Sequence, residues 1–236
     1  LEVTQRADLL LTSIGAKHLE DWATEFREII CERLESGEID LILGENHSHP
    51  ALLVKQTLEK NATDKQLKLL YRLGICQSQI MRSCIEPNEE VIQQDGALSL
   101  NVQDYDVLPM DADALKRPDL ISNINGFEPH SNFKIELTRK LYTYNTINAV
   151  ISYLGYLAGY SLLSEAANDH RIVELAVEAG KESSNALIKE YGFKQTEQDD
   201  WCERAIKKYQ DERIVDPIER QCRDPIRKLG ENDRLF

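Results

Sequence analysis

In the first part of the chain, short apolar runs typical of strands alternate with stretches in which apolar residues recur at helical spacing. The apolar runs Leu9–Thr12 and Asp40–Leu43 have the length and composition of buried strands. Apolar residues at helical spacing predict a helix from His18 to about Arg33, and Pro50 opens a second helix. Strand, helix, strand and helix in this order predict a parallel sheet with crossover helices.

Two further stretches extend this part of the chain. One more strand is predicted around Gly74–Gln77. Leu98–Leu108 alternates apolar and polar residues, which predicts a half-exposed antiparallel strand.

The remainder of the chain is helical by pattern. Helical spacing runs from about Ser131 to Tyr160, and two further helices are predicted over 169–192 and 196–210. Gly192 closes the first of these two, as glycine often does at a helix C-terminus. The tail, residues 216–236, is rich in Arg, Asp and Pro, which predicts loop and short helix. The chain is therefore expected to divide near residue 111 into an α/β part and an all-α part.

Composition narrows the classes of function. A net charge of −13 over 236 residues argues against a nucleic-acid partner and against an anionic membrane surface. Neither a bilayer-length apolar run nor a signal peptide is present. Five scattered cysteines without a CxxC pair favour reduced thiols and a cytoplasmic protein. Because the first residue is Leu1 and not Met, we expect the sequence to be part of a longer protein.

The stretch KLYTYNTIN, residues 140–148, contains the first candidate chemistry. On a continuous α-helix, Lys140, Asn145 and Asn148 fall within an arc of about 140°, so that all three could face one cleft. Taken alone, lysine and asparagine on a helix are more often solvated than catalytic.

Two other clusters of polar residues could be functional, but each also has a non-functional explanation. Glu45, His47 and His49 form an E-x-H-x-H pattern, but such pairs in loops are mostly solvated, and no metal site is predicted. Arg223, Arg227 and Lys228 have the chemistry to bind a sugar phosphate. Their alternative is pairing with nearby acids, which are Asp216, Glu219, Asp224 and Asp233.

Several motifs, in the right order, resemble one enzyme family. KLYTYNTINAVISYLGYLAGY (140–160) is similar to the signature helix of the polyol-specific long-chain dehydrogenases, the mannitol dehydrogenase family. That helix has Lys, four residues, Asn, two residues, His and then a YLG-type run. LLLTSIGAKHL (9–19) resembles the family's strand beside the nicotinamide, and LILGENHSHPALLVKQ (41–56) resembles its segment that ends in an acidic residue plus Asn. EYGF (190–193) with the tail 216–235 resembles the branch that acts on phosphorylated hexitols.

The resemblance implies a two-domain nicotinamide enzyme with NAD as cofactor and a small polyol or sugar phosphate as partner, as a monomer or homodimer. The family's GxGxxG turn, which holds the pyrophosphate, is not found in these 236 residues. We therefore expect 1–111 to be the C-terminal half of a Rossmann-type dinucleotide-binding domain. Residues 112–236 would be a helical substrate domain that continues beyond this sequence.

The resemblance also assigns roles. Oxidation of a secondary alcohol needs a base for the hydroxyl proton and donors for the developing alkoxide, and lysine can be that base if its surroundings lower its pKa. Lys140 is the implied base, with Asn145 and Asn46 as the implied donors. The implied cofactor contacts are Thr12, Gly15 and Glu45.

Two departures from the family pattern keep a second interpretation open. Asn148 stands where the family has His, and an amide can hydrogen-bond a hydroxyl but cannot carry a proton. Met81-Arg82 stands where the family has Asp-Arg. The chain is therefore predicted to be either an oxidoreductase interconverting a hexitol (phosphate) and a ketohexose (phosphate), or a catalytically impaired homologue that keeps a sugar-phosphate-binding or assembly role.

Overall fold

A computed structural model describes residues 2–45, 49–82, 84–85, 87, 89–103 and 105–230. The chain forms two compact units by its internal contacts, and two chain segments contribute to each. The first unit comprises Leu1–Arg82 and Gln103–Lys134, and the second comprises Ser83–Val102 and Ile135–Phe236.

The first unit contains a three-stranded parallel sheet in the order β1-β2-β3. Its strands are β1 (Leu9–Thr12), β2 (Ile39–Leu43) and β3 (Leu73–Gln77), and its first helices are α1 (Glu2–Arg6), α2 (Leu19–Glu35), α3 (Pro50–Glu59) and α4 (Asp64–Leu70). All five residues of β2 are buried, as expected for a central parallel strand covered on both faces. The predicted strands, the two predicted helices and the parallel pairing are confirmed, and α1 and α4 were missed.

Asp40 connects this sheet to a later part of the chain. Its carboxylate is fully buried and accepts hydrogen bonds from the backbone N–H groups of Lys116, at 2.7 Å, and Arg117, at 2.9 Å. Gly74 on β3 leaves room for it, because a Cβ there would lie 1.9 Å from Asp40 Oδ1. Burial raises the pKa of Asp40, although both N–H donors act in the opposite direction.

The predicted boundary near residue 111 falls inside the first unit, because the Asp40 hydrogen bonds and a strand pair keep the following segment with the sheet. In this segment, β6 (Leu108–Asp111) pairs in parallel with β7 (Phe127–His130), and α6 (Pro118–Ile121) lies between them in the chain. The division by contacts comes later, after Lys134. That the two units are a dinucleotide-binding half-domain and a substrate domain stays a prediction.

The single antiparallel strand predicted over Leu98–Leu108 is wrong. Among the described residues of this stretch, antiparallel strand pairing is confined to β5 (Asn101–Val102), which pairs with β4 (Cys84–Ile85), and α5 (Glu89–Asp95) lies between them in the chain. Leu98 and Leu100 are 97% and 67% exposed, so the apolar positions of the pattern have no core to face. Alternation alone did not reveal that this stretch lacks a partner sheet.

The second unit is mainly helical, as predicted. Its elements are α7 (Phe133–Lys140, which begins in the first unit), a π-helical turn (Leu141–Asn145), α8 (Thr146–Ala158), α9 (Leu163–Asn168), α10 (His170–Tyr191), α11 (Gln195–Gln210), α12 (Ile218–Gln221) and α13 (Pro225–Lys228). The sequence analysis missed α9. Helix α8 packs against α9 and α10, and Gly155 permits the close approach, because a Cβ there would lie 2.4 Å from the Ala166 Cβ. Gly192 caps α10 with a φ of 75°, as expected.

Among the described residues, none of the helices has both the length and the apolar character required to cross a bilayer.

Candidate functional site

The predicted catalytic helix is interrupted by the π turn, at the place where the candidate residues lie. Lys140 ends α7, Asn145 ends the π turn, and Asn148 lies in the first turn of α8. Lys140 and Asn145 are half-buried, whereas Asn148 is 7% exposed. Lys140 is therefore less exposed than a lysine that extends into bulk solvent.

The π turn changes the angles expected from the sequence. In a continuous α-helix, five positions place Lys140 and Asn145 about 140° apart. A π turn takes up about one extra residue, so the separation falls to that of about four α-helical positions, or about 40°. The same correction places Asn148 about 20° from Lys140 on the other side. The three residues thus occupy an arc of about 60°, narrower than predicted.

Within the described residues, the side-chain amides of Asn145 and Asn148 form no hydrogen bond to another protein group. Each amide carries two N–H donors and a carbonyl acceptor. Their hydrogen-bonding capacity is therefore available to a ligand on the face that Lys140 shares. The third predicted amide, Asn46, lies outside the described residues.

Two hydroxyl groups bond to backbone carbonyls of the wide turn. Thr146 Oγ1 donates to the Leu141 carbonyl, five residues earlier, at 3.3 Å. Tyr209 Oη, from α11, donates to the Tyr144 carbonyl at 3.0 Å. The Tyr144 ring meets the Trp201 ring edge-on, with 5.4 Å between centroids. Contacts from α11 therefore support the turn.

Arg139, immediately before the candidate base, was missed by sequence reasoning. Its guanidinium lies 4.4 Å from the Phe193 ring centroid and 4.2 Å from that of Trp201, and its Nε donates to Gln198 Oε1. Arg139 is 7% exposed and Gln198 is fully buried. Desolvation lowers the pKa of Arg139. Its partner nearby in the chain is Glu136, at 3.8 Å, which would also suit a surface arginine. The aromatic and amide partners that bury it are more than fifty positions away, so no sequence signal distinguished it.

A second amine lies near the turn. Lys208 Nζ is 5.9 Å from the Tyr144 ring centroid. Burial lowers the pKa of Lys208 to about 8, with Asp216 acting in the opposite direction. Sequence reasoning missed Lys208 as well, because only the packing of α11 removes it from water.

The predicted cofactor residues lie at the carboxyl ends of β1 and β2, the edge at which ligands bind in open parallel sheets. Thr12 Oγ1 donates to Glu45 Oε2 at 2.8 Å, and the Ile14 N–H donates to Glu45 Oε1 at 3.1 Å. Thr12 and Glu45 are 4% and 3% exposed. Gly15 follows with a φ of +85°, where a side chain would be strained. The structure brings Thr12 and Glu45 together, and their contact with a cofactor stays a prediction.

The E-x-H-x-H pattern gives no metal site in the part of the chain that the structure describes. His47 lies outside that part. His49 takes the N-cap position of α3 without a side-chain capping hydrogen bond.

The predicted phosphate residues have different environments. Arg223 is exposed, whereas Lys228 is buried and its Nζ donates to the Gln221 carbonyl. Asp216, one of the acids weighed as a partner for them, forms an ion pair with Arg220 at 2.7 Å instead. The side chain of Arg227 is not among those described. A phosphate site at these residues stays a prediction.

Arg82 and Met81, where the chain departs from the family pattern, are also placed. The Arg82 guanidinium donates to the Tyr105 carbonyl, with 2.7 Å from Nε. Met81 is 7% exposed. In this structure, Arg82 therefore supports the loop before β6.

Two solved structures have a fold similar to that of this chain. It matches a D-sorbitol dehydrogenase in substrate-free form with a TM-score of 0.79 at 13% identity, covering 97% of this chain and 56% of that one. It also matches the Pseudomonas fluorescens mannitol 2-dehydrogenase in a ternary complex with NAD and D-mannitol, with a TM-score of 0.68 at 12% identity, covering 94% of this chain and 52% of that one. The fold is that of the polyol dehydrogenases, which confirms the α/β plus all-α class.

Sequence comparisons show which proteins the chain is similar to. Residues 135–236 match the family described as Mannitol dehydrogenase C-terminal domain. The chain is 29% identical to the mannitol-1-phosphate 5-dehydrogenase of Bacillus subtilis over 97% of its length, and 29% identical to that of Clostridium acetobutylicum over 98%. The resemblance seen in the sequence is thereby confirmed. The chain spans about 60% of the length of these relatives.

Proposed function

We propose that the complete protein is an NAD-dependent oxidoreductase that interconverts a hexitol phosphate and a ketohexose phosphate by hydride transfer. The relatives named mannitol-1-phosphate 5-dehydrogenase support this choice of substrate class. A cytoplasmic location is part of the proposal, in keeping with five free cysteines.

One observation carries the proposal: a half-buried lysine shares a narrow helical face with two carboxamides. Lys140 Nζ would accept the proton of the substrate hydroxyl. The N–H groups of Asn145 and Asn46 would donate to the oxygen as negative charge develops on it, which stabilises the transition state more than the ground state. The amide of Asn148 would hold a neighbouring hydroxyl and fix the orientation of the substrate.

The cofactor would be held in part by Thr12, Gly15 and Glu45. A sheet edge with a buried carboxylate and a tight glycine turn fits one end of a dinucleotide, whereas the pyrophosphate cradle has no counterpart in this sequence. When bound, the nicotinamide supplies the hydride acceptor. Arg223 and Arg227 would contact the substrate phosphate, with Lys228 beside them.

The test is nicotinamide reduction by the complete protein with mannitol 1-phosphate, sorbitol 6-phosphate and the two free hexitols, and the reverse reaction with fructose 6-phosphate. Lys140→Ala should lower kcat by about 10²–10⁴-fold, the usual contribution of a positioned general base. Lys189→Ala, an exposed lysine on α10, is the matched control and should leave kcat unchanged. Absence of turnover in the wild type with all of these substrates would refute the proposal.

A second candidate function is a catalytically impaired homologue that retains sugar-phosphate binding. Buried Asn148 supports it, because an amide at this position cannot relay a proton. In that case the wild type would bind mannitol 1-phosphate in calorimetry without turnover, and Asn148→His would restore activity.

A further inference from the structure

We propose that the π turn, held from one side by α11, is the element that aligns Lys140 with Asn145 and Asn148, and that Arg139 and Tyr209 are the positioning residues that maintain it. The catalytic consequence of this alignment rests on the function proposed above. The alignment itself is a property of the chain and can be measured without any activity.

The register argument is geometric. A continuous α-helix would turn Asn145 about 140° from Lys140, too far for both side chains to reach one small ligand. The expectation that a continuous α-helix could present all three residues to one cleft is therefore wrong. The π turn reduces this angle to about 40°, close to the angle between helix neighbours four residues apart. An α-helical turn at this place would therefore dismantle the shared face without changing any residue on it.

Such a turn requires support from outside the helix. π turns are rare because their wide ring has poorer packing and hydrogen bonding than the α-helix. Here Thr143 is fully buried, and its Oγ1 has no hydrogen-bond partner among the described residues, which adds to the cost of this conformation. Contacts made by the neighbouring helix must offset that cost.

Helix α11, together with Phe193 just before it, supplies contacts of this kind near both ends of the turn. On the N-terminal side, the Arg139 guanidinium lies over the rings of both Phe193 and Trp201. A cation that contacts two rings and is hydrogen-bonded through Nε is restricted in position and in orientation. Because Arg139 directly precedes Lys140, this contact fixes where α7 ends.

On the C-terminal side, the Tyr209 hydroxyl donates to the Tyr144 carbonyl, and Trp201 contacts the Tyr144 ring. Trp201 therefore contacts both Arg139, just before the turn, and Tyr144, within it. Helix α10 also packs against the turn; the side-chain contacts made from α11 are the ones we call the brace.

The first experiment measures the register by a metal-binding pair. Two histidines four positions apart on an α-helix can bind one metal ion together, whereas five positions separate them too widely. We expect the double variant Lys140→His/Asn145→His to bind Ni²⁺ at least tenfold more tightly than either single variant, measured by calorimetry. Equal affinity of the double and single variants would overturn the proposed register.

Helix α10 supplies matched controls, because it is α-helical throughout and these positions on it are exposed. Lys181→His/Ala186→His has the same spacing of five and should show no tighter binding than its single variants. Asn185→His/Lys189→His has a spacing of four and should bind as the pair across the π turn does.

The second experiment tests the brace. Arg139→Lys keeps the charge and loses the planar stack, so in the Lys140→His/Asn145→His background it should weaken Ni²⁺ binding at least threefold. Arg204→Lys, an exposed arginine on α11, should not weaken it. If Arg139→Lys fails to fold, Tyr209→Phe removes only the hydroxyl and is expected to act in the same direction. Unchanged Ni²⁺ affinity in a folded brace variant would refute the positioning role of that residue.

With the native Lys140 and Asn145, Arg139→Lys should lower kcat at least tenfold and leave KM within about twofold, because the substrate still binds but meets a displaced base. A parallel rise in KM with unchanged kcat would contradict a positioning role. If the wild type has no activity, the proposed function fails, while the Ni²⁺ measurements still decide the register.

Discussion

The sheet edge of the first unit and the helical face of the second hold their polar residues by different means. At the sheet edge, Thr12 and the Ile14 N–H satisfy both oxygens of Glu45, so the bonds lie within two adjacent strand ends. On the helical face, Asn145 and Asn148 are placed by a wide turn that another helix supports. The first arrangement is fixed locally, and the second depends on residues far away in the chain.

This difference predicts where each unit is sensitive to substitution. Strand ends keep their geometry as long as the sheet register and its buried hydrogen bonds survive. The helical face can lose its geometry while its own residues and its overall helicity remain. Changes in the first unit should therefore appear in the free energy of unfolding, and changes around α11 should appear first in function.

The largest expected effect on stability concerns Asp40, which connects the sheet to residues 116–117. Asp40→Ala removes the acceptor of two backbone N–H groups and leaves a buried gap beside Gly74. We expect the free energy of unfolding to fall by about 2–4 kcal/mol, measured by urea denaturation.

Two variants complete the Asp40 test. Asp40→Asn keeps one acceptor and should cost less than Asp40→Ala. Asp8→Ala changes an aspartate whose side chain is 74% exposed and should cost almost nothing. If Asp40→Ala is as stable as Asp8→Ala, the proposed link between the sheet and the later segment is wrong.

A smaller effect is expected at the strand ends. Thr12→Val leaves the shape of the side chain nearly unchanged but leaves Glu45 Oε2 buried without this donor. The expected loss is about 1–2 kcal/mol in the free energy of unfolding, because a hydrogen bond to a charged group is lost. Thr24→Val is the control, since that hydroxyl bonds to a carbonyl of its own exposed helix turn. Equal losses of stability in the two variants would show that the Thr12–Glu45 hydrogen bond contributes no more than an exposed one.

The same contrast explains how far the sequence predicted the structure. The apolar composition of the runs at Leu9–Thr12 and Asp40–Leu43 indicates buried strands, so the parallel sheet followed from pattern. The hydrogen bond between Thr12 and Glu45 was not predicted. Lys140, Asn145 and Asn148 were correctly put on one helical segment. Their angles were wrong, because a π turn has no local composition signal that separates it from an α-helical turn.

Long-range packing accounts for the other residues that were missed. Arg139 and Lys208 look like ordinary surface cations until Trp201, Phe193 and Tyr144 are placed around them. The boundary expected near residue 111 failed for a related reason, since the bonds that move it connect Asp40 to backbone groups about 76 positions later. Such contacts depend on tertiary structure and not on local pattern.

The smallest predicted effect concerns Lys208. It distinguishes the effect of burying a lysine from the effect of pairing one with an acid at the surface of the second unit. The folded protein holds the pKa of Lys208 at about 8, below the value of 10.5 for an exposed lysine. Between these values, the unfolded chain binds more protons at this site than the folded one, so stability must rise with pH. Between pH 7.5 and pH 10, the free energy of unfolding of the wild type should rise by roughly 1 kcal/mol more than that of Lys208→Met. This value is smaller than the full pKa shift would give, because the amine keeps part of its solvent access.

Paired denaturation curves of the wild type and Lys208→Met at the two pH values measure this gain, since the other titrating groups cancel in the difference. Lys207→Met, at an exposed ion pair with Glu203, is the matched control and should show no comparable gain. A stability difference that stays constant or shrinks as pH rises would mean that Lys208 remains solvated in the folded protein. In that case the contact of α11 with Tyr144 would be looser than the brace requires, and the contrast between a locally fixed sheet edge and a remotely supported helical face would lose one of its supports.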